Sequence, residues 1–161
     1  MSNRDDNEPP PKERPVGPRV FVILLAAGRS SRMGETGASK LLAEFDGVAL
    51  VRRSAQVALG STADGVVVVT GHRRFEIEAA LDGLGVECLE NPLYGRGMAT
   101  SIAAGVSYCH ARGADAVLVQ LADMPGLASG DLDRLIAAFR TTDGEAVVRA
   151  TGNGKPGNPV I

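Results

Sequence analysis

A set of apolar, β-branched runs constrains the fold of this 161-residue chain more than any other feature of its sequence. Each run is about as long as a strand and lacks polar alternation, which is typical of strands buried on both faces of a sheet. The runs are Arg19–Leu25, Gly65–Thr70, the shorter Val86–Glu90, Asp115–Leu121 and Glu145–Arg149. Such strands favour a parallel sheet that is covered by helices.

The segments between these runs carry apolar residues at helical spacing. The stripes cover residues 50–58, 75–84, 98–106 and 132–139. Because strand and helix alternate about five times, the sequence predicts an α/β fold with a mostly parallel sheet and helices on both faces. Ligands of such sheets bind beyond the carboxyl ends of the strands, so the residues that follow each run are candidates for a functional site.

Composition narrows the class of protein further. The net charge is -2 at neutral pH, which gives no electrostatic reason to expect nucleic acid or an anionic membrane as a partner. No apolar run reaches the length of a spanning helix, and no signal peptide is visible, so we expect a cytoplasmic protein. Residues 1–18 hold five of the nine prolines and are predicted to form a disordered arm, which leaves one domain over residues 19–161.

A loop of small and basic residues follows the first run. Residues 26–34 read AAGRSSRMG, and Lys40, one of only three lysines, comes soon after. Gly28 and its small neighbours let the backbone approach a ligand closely, while Arg29, Arg32 and Lys40 add positive charge. We interpret the segment as a phosphate-binding loop; a surface loop with solvated arginines is the alternative.

A carboxylate follows the Asp115–Leu121 run. Asp123 comes directly after this strand, and Pro125 prevents the chain from continuing in the sheet. One carboxylate beside a phosphate-binding loop suits Mg²⁺, which prefers one or two carboxylates together with phosphate oxygens of a substrate. The alternative is an ordinary turn or helix-capping aspartate.

The segment Asn91–Ser101 links the short predicted strand to a helix. Free N–H groups and hydroxyls at the start of a helix can bind a ribose, a base edge or a phosphate. Thr70 also ends a strand and could lie near a base. Ordinary capping with a glycine turn explains Asn91–Ser101 equally well.

Several motifs now occur together and in order. They are LAAGRSSRMG at 25–34 with KLL at 40–42, NP at 91–92 with GMATS at 97–101, LADMP at 121–125, and GKPGNPVI at 154–161. Over essentially all of residues 19–161, the chain resembles the MobA-like nucleotidyltransferases, and most of all their molybdenum cofactor cytidylyltransferase branch.

The resemblance implies a Rossmann-like, three-layer α/β/α nucleotidyltransferase that binds an NTP and Mg²⁺. A phosphate of the second substrate would attack the α-phosphorus and expel pyrophosphate. Carried over residue by residue, it implies catalytic roles for Arg32, Lys40 and Asp123, with Asp123 as the metal ligand. The residues that it implies for nucleotide binding are Leu25, Ala26, Ala27, Gly28, Arg29, Lys40, Thr70, Asn91 and Ser101.

The signature also bears on the substrates. Guanylyl-transferring relatives usually read Leu-Ala-Gly-Gly, whereas residues 25–28 are Leu-Ala-Ala-Gly, which favours CTP and an acceptor such as molybdopterin cofactor. A sugar-1-phosphate nucleotidyltransferase and a non-catalytic nucleotide-binding module are the alternatives. Family members continue past Gly-Asn-Pro-Val with more strand and helix, so the domain at 19–161 is expected to lack the C-terminal elements of the family.

Overall fold

The computed structural model describes residues 17–28, 39–152 and 154–161. Its main sheet has six strands in the order β5-β4-β1-β6-β8-β7, and a separate two-stranded hairpin is formed by β2 and β3. The strands are β1 (Val20–Leu25), β2 (Glu44–Phe45), β3 (Val48–Ala49), β4 (Gly65–Thr70), β5 (Glu87–Glu90), β6 (Ala116–Leu121), β7 (Arg149–Gly152) and β8 (Lys155–Val160). The helices are α1 (Leu50–Leu59), α2 (Arg74–Ala80), α3 (Met98–Ala111) and α4 (Ser129–Arg140), with short 3-10 helices at Lys40–Leu42 and Tyr94–Arg96.

Strand β1 forms the centre of the sheet. It pairs in parallel with β4 on one side and with β6 on the other, and β5 pairs in parallel with β4. Every residue from Val20 to Leu24 is buried, as the continuous apolar run requires. The carboxyl ends of β1, β4, β5 and β6 therefore lie along one edge of the sheet, where a ligand site is expected.

Helices cover both faces of the sheet, and alternate residues of β1 contact different helices. Val20, Val22 and Leu24 belong to core clusters that contain residues of α1, α2 and α4. Phe21 and Ile23 belong to a cluster that includes Cys109 of α3. The predicted α/β fold is thus confirmed, with α3 alone on its face among the four described helices.

The prediction of a strand over Glu145–Arg149 is wrong in its bounds. Strand β7 begins only at Arg149, and Val147 is 81% exposed. Val148 alone exchanges two backbone hydrogen bonds with Ile161, at 3.0 and 2.9 Å. Because β7 and β8 are antiparallel additions at an edge of the sheet, this segment has one solvated side and lacks the two-sided burial that the apolar run suggested.

Two smaller features complete the fold. The helix predicted over 75–84 ends at Ala80, and residues 81–85 form a turn and bends before β5. Among the described helices, none has the length and apolar character needed to cross a membrane.

Candidate active site

A cavity of about 420 Å³ opens beyond the carboxyl ends of β1 and β6, in front of the first turn of α3. Its wall is built from four chain segments that are distant in sequence. The lining residues are Leu25, Ala27, Gly28, Leu41, Tyr94, Gly95, Gly97, Met98, Ser101, Leu121 and Asp123.

The floor of the cavity follows from strand alternation. Leu25 of β1 pairs in register with Leu121 of β6, so these two side chains stand next to each other on the same face. Ala27 and Asp123, two positions further along each chain, also line the cavity. This is the face that α3 covers, so the cavity lies between the ends of the strands and the start of α3.

Lys40 and Asp123 meet at the cavity. The Lys40 Nζ lies 3.7 Å from Asp123 Oδ2, and the two side chains are 45% and 50% exposed. Lys40 begins a 3-10 helix whose next residue, Leu41, is buried and lines the cavity, which anchors the lysine backbone. An ion pair that is this long and this exposed contributes little to stability, so both charges remain available to a ligand.

The backbone that follows β1 is fixed by its neighbours. The Ala26 N–H donates to Val69 O at 2.9 Å, and Ala27 O accepts from the His72 N–H at 3.3 Å. Ala26 and Ala27 are buried, and a Cβ added at Gly28 would meet no described atom within 4 Å. Among the described residues, no atom blocks the predicted approach of a ligand to this backbone.

The segment between β5 and α3 supplies the opposite wall. Gly97 adopts φ +112°, a conformation that side chains other than glycine rarely take, and α3 begins at the next residue, Met98. Tyr94 lies against the end of β4, where a Cβ on Gly71 would come within 2.7 Å of the Cβ and Cγ atoms of Tyr94. The absence of a side chain at Gly71 thus allows Tyr94 its place in the wall.

Asn91 connects the loop before α3 to the first turn of that helix by side-chain hydrogen bonds. It is only 3% exposed, and its Nδ2 donates to the hydroxyls of Thr100 and Ser101, both at 2.9 Å. Its Oδ1 accepts from the Leu93 N–H at 2.9 Å. Of the two residues predicted in this segment, Ser101 lines the cavity, whereas Asn91 ties the loop to the first turn of α3.

Thr70 lies on the other face of the sheet. It is fully buried, and its hydroxyl is within reach of Glu78 Oε1 at 3.3 Å and of Leu89 O at 3.4 Å. Val68, two positions earlier, packs in the cluster that contains residues of α1 and α2, and side chains two apart on a strand share a face. Thr70 is therefore not among the residues that surround the cavity, and a direct contact with a base stays a prediction.

The other sequence-based site residues divide into three groups. Ala26 is buried in the cluster that contains residues of α1 and α2, and it does not line the cavity. Leu25, Ala27, Gly28, Ser101 and Asp123 line the cavity, and Lys40 contacts Asp123. Arg29 and Arg32 lie outside the described residues, so their predicted roles stay predictions. Sequence reasoning did not assign roles to six lining residues, namely Leu41, Tyr94, Gly95, Gly97, Met98 and Leu121.

The two cysteines contribute no nucleophile to this site. Neither Cys88 nor Cys109 lines the cavity, and both are free thiols in the described part of the chain. Burial raises the pKa of Cys109 to about 11, so this thiol stays protonated and packs as an apolar group between α3 and the sheet.

The donor set at the cavity fits a magnesium ion that arrives with a polyphosphate. Within residues 17–28, 39–152 and 154–161, no three side chains of the His, Cys, Asp and Glu types cluster as a metal site. Mg²⁺ does not require such a cluster, because it is commonly held by one or two carboxylates and by phosphate oxygens. Asp123 is a carboxylate of this kind, since it is half-exposed and lines the cavity beyond the carboxyl end of β6.

Comparison with known proteins gives a consistent result. The MobA-like NTP transferase domain family matches residues 22–161. A bifunctional IPC transferase and DIPP synthase from Rubrobacter xylanophilus is 37% identical over 102 residues, which are 61% of this chain and 23% of that protein. The purine catabolism protein PucB from Bacillus subtilis is 32% identical over 131 residues, which are 74% of this chain and 60% of PucB.

A solved structure shares the fold as well. A nucleotidyl transferase from Methanothermobacter, Mth528, superposes with a TM-score of 0.67 at 32% identity, over 75% of this chain and 58% of that one. The chain thus spans less than two thirds of the length of each of these three relatives. Since the family match covers most of the chain and every described segment around the cavity, the chain belongs to the MobA-like NTP transferase domain family.

Proposed function

We propose that this protein transfers a nucleotidyl group, CMP from CTP in the first instance, to a phosphorylated acceptor such as molybdopterin cofactor. The observation that carries the proposal is the opposed pair of Lys40 and Asp123 at a cavity beyond the carboxyl ends of β1 and β6. One charge suits a triphosphate and the other suits the metal that accompanies it. Membership of the NTP transferase family supports the same chemistry.

The proposed reaction needs positioning and charge neutralisation more than covalent catalysis. An acceptor phosphate oxygen forms a bond to the α-phosphorus of the nucleotide. The bond between the α-phosphorus and its bridging oxygen breaks, and pyrophosphate leaves with that electron pair. The Lys40 ammonium neutralises negative charge on the triphosphate and on the leaving pyrophosphate, and Arg32 is proposed to do the same.

The remaining residues hold the nucleotide in this proposal. The backbone of Leu25–Gly28 lies against the nucleotide, with Arg29 beside the phosphates. Ser101 presents a hydroxyl from the first turn of α3 toward the ribose or base. Asp123 would hold Mg²⁺, which when bound supplies positive charge beside the reacting phosphates. The hydrogen bonds of Asn91 to Thr100 and Ser101 support a role in shaping the site, and direct contacts of Thr70 and Asn91 with the nucleotide stay predictions.

The choice of CTP rests on the signature at residues 25–28. Ala27 is buried and its carbonyl is bonded to the His72 N–H, so the methyl group of Ala27 occupies a defined place in the cavity wall. Relatives that transfer GMP usually carry glycine there. We propose that this methyl group leaves space for a pyrimidine and less space for a purine.

A nucleotide panel tests the proposal. The purified chain is incubated with Mg²⁺, each of CTP, GTP, UTP and ATP, and either a pterin phosphate or a sugar 1-phosphate, and released pyrophosphate is measured. We expect release with CTP and the pterin phosphate, and at least tenfold less with GTP, the scale set by losing one good contact. Asp123→Asn is the control for metal-dependent turnover.

The same panel identifies the alternatives. Turnover with the sugar 1-phosphate in place of the pterin phosphate would overturn the acceptor and support a sugar-1-phosphate nucleotidyltransferase. Calorimetric binding of an NTP with no pyrophosphate from any acceptor would overturn catalysis and support a nucleotide-binding module. If no NTP binds and no pyrophosphate is released, both the transferase and the nucleotide-binding module are contradicted.

A further inference from the structure

Ala122 is held by two buried hydrogen bonds, one through its N–H and one through its carbonyl, and the carbonyl belongs to the peptide unit that joins Ala122 to Asp123. Ala122 is 1% exposed and follows β6, where the pairing with β1 ends. Its N–H donates to Leu25 O at 3.2 Å. Its carbonyl oxygen accepts from the Ser54 hydroxyl at 2.8 Å. A helix side chain thus takes the place of the strand partner that the Ala122 carbonyl lacks.

A second hydrogen bond connects the same helix to the same strand. Ser54 is 3% exposed, and its own carbonyl accepts from Gln120 Nε2 at 3.2 Å. Gln120 is fully buried on β6, two residues before Ala122. Helix α1 and the end of β6 are therefore joined by two bonds that point in opposite directions.

The side chain of Gln120 lowers the stability of the core at this position. Its Oε1 is buried and has no hydrogen-bond partner within the described part of the chain. An unpaired buried amide oxygen costs about 1 to 3 kcal/mol, whereas leucine would fill a similar volume without this cost. A polar side chain at position 120 therefore suggests a requirement other than stability. The hydrogen bond from Nε2 to the Ser54 carbonyl indicates that this requirement is to hold Ser54 in place.

We infer that Ser54, supported by Gln120, is a positioning residue for Asp123; this inference rests on the proposed function. A peptide unit is planar, so the Ser54 bond to Ala122 O also fixes the bond that leads to the Asp123 Cα. The carboxylate is thereby held toward Lys40 and the cavity. Without the hydroxyl, the buried carbonyl turns toward another donor and rotates the same peptide unit.

The test compares two serine-to-alanine variants. Each removes one hydrogen bond from a serine hydroxyl to a backbone carbonyl, and α1 supplies the donor in one case and the acceptor in the other. Ser54→Ala removes the bond to Ala122 O, and Ser129→Ala removes a 2.8 Å bond from α4 to Val57 O, away from the cavity lining. For each protein, calorimetry measures the affinity for CTP without metal and with Mn²⁺. The gain in affinity on adding Mn²⁺ reports on the metal ligand, whether or not turnover occurs.

We expect the Mn²⁺-dependent gain to fall roughly tenfold in Ser54→Ala, the scale found when a group that orients a metal ligand is removed. The affinity for metal-free CTP stays within about twofold, kcat falls with little change in KM, and Ser129→Ala matches the wild type in all of these. Equal Mn²⁺-dependent gains in the two variants would overturn the inference.

A second variant keeps the inference testable if Ser54→Ala does not fold. Gln120→Leu removes the bond to Ser54 together with the unpaired oxygen, so we expect an unchanged or higher melting temperature and a smaller Mn²⁺-dependent gain. A wild-type gain in Gln120→Leu would count against the inference. If the wild type releases no pyrophosphate from any NTP, the proposed function fails, while the Mn²⁺ comparison still decides the role of Ser54.

Discussion

The two ends of β6 carry an aspartate each, and the structure uses the two carboxylates differently. At the amino end, Asp115 Oδ2 accepts from the Arg19 N–H at 2.8 Å. At the carboxyl end, Asp123 has a 3.7 Å ion pair with Lys40 beside an open cavity. The same residue type binds a backbone N–H group at one end of the strand and lines the candidate active-site cavity at the other.

The neighbouring strand β4 repeats the first of these arrangements. Asp64 directly precedes β4, as Asp115 precedes β6, and Asp64 Oδ2 accepts from the Val20 N–H at 2.8 Å. Two flanking aspartates thus bind consecutive N–H groups at the start of the central strand. The carboxylates at this end of the sheet thus accept hydrogen bonds from the backbone, whereas the carboxylate of Asp123 at the other end is exposed at the cavity and is proposed to bind a ligand.

The largest effect is expected at Asp123. Asp123→Asn should lower pyrophosphate release by about 10² to 10³-fold, because it removes the charge that is proposed to hold the metal. Unfolding in urea should change by less than about 1 kcal/mol, since the ion pair is long and half-exposed. Asp115→Ala is the matched control at the other end of β6 and should retain wild-type activity. Near-normal turnover of Asp123→Asn would exclude Asp123 as the metal ligand.

The next effect is expected at two glycines at the ends of β4, since Gly65 begins the strand and Gly71 follows it. A Cβ at Gly71 would meet Tyr94 at 2.7 Å, and a Cβ at Gly65 would meet the Phe21 ring at 2.9 Å. Both Gly→Ala substitutions should lower the free energy of unfolding by about 1 to 3 kcal/mol through overpacking. Only Gly71→Ala should also raise the KM for the nucleotide, by roughly tenfold. Equal KM values in the two variants would show that the Tyr94 wall does not contact the nucleotide.

A third substitution tests the amino end alone. Asp64→Ala should lower the free energy of unfolding by about 1 to 3 kcal/mol, because it removes the acceptor for the Val20 N–H and the partner of Arg140, whose Nε is buried. Denaturant titration measures this loss, and kcat measured well below the melting temperature should be unchanged. A fall in kcat for the folded variant would show that the two ends of the sheet are coupled.

The smallest effect concerns pH. Glu87 begins β5, and the hydrogen bond from the Tyr108 hydroxyl, assisted by Arg112, lowers the pKa of its carboxyl. A carboxyl whose pKa is lowered by folding stabilises the fold above its ordinary range and loses this effect as pH falls. The melting temperature of wild type should therefore exceed that of Glu87→Gln near about pH 6, and the difference should narrow toward about pH 3. A constant difference would exclude the carboxylate charge as its source.

Much of this architecture could be predicted from the sequence. Continuous apolar runs located β1, β4 and β6 because strands buried on both faces need such runs, and a carboxylate directly after a strand located Asp123. The face on which Thr70 lies depends on the register in which Leu25 pairs with Val69 of β4. Register between distant strands is not encoded in either segment alone.

Contacts between distant segments also could not be predicted from the sequence. The packing of Tyr94 on Gly71 and the bond from Ser54 to Ala122 join residues that are far apart in the chain. In the sequence, Gly71 resembles a turn glycine, and Ser54 resembles one small residue in a helix stripe. Their roles depend on which elements the folded sheet brings together.

The outer strand β5 has a consequence for solubility. It is only four residues long, it lies at an edge of the sheet, and it begins with Glu87 and ends with Glu90. Exposed strand edges invite a strand of another molecule to pair with them, and shortness and charge both oppose such pairing. The shortness of β5 and the acidic side chain at each of its ends therefore disfavour strand pairing at this edge of the mostly parallel sheet.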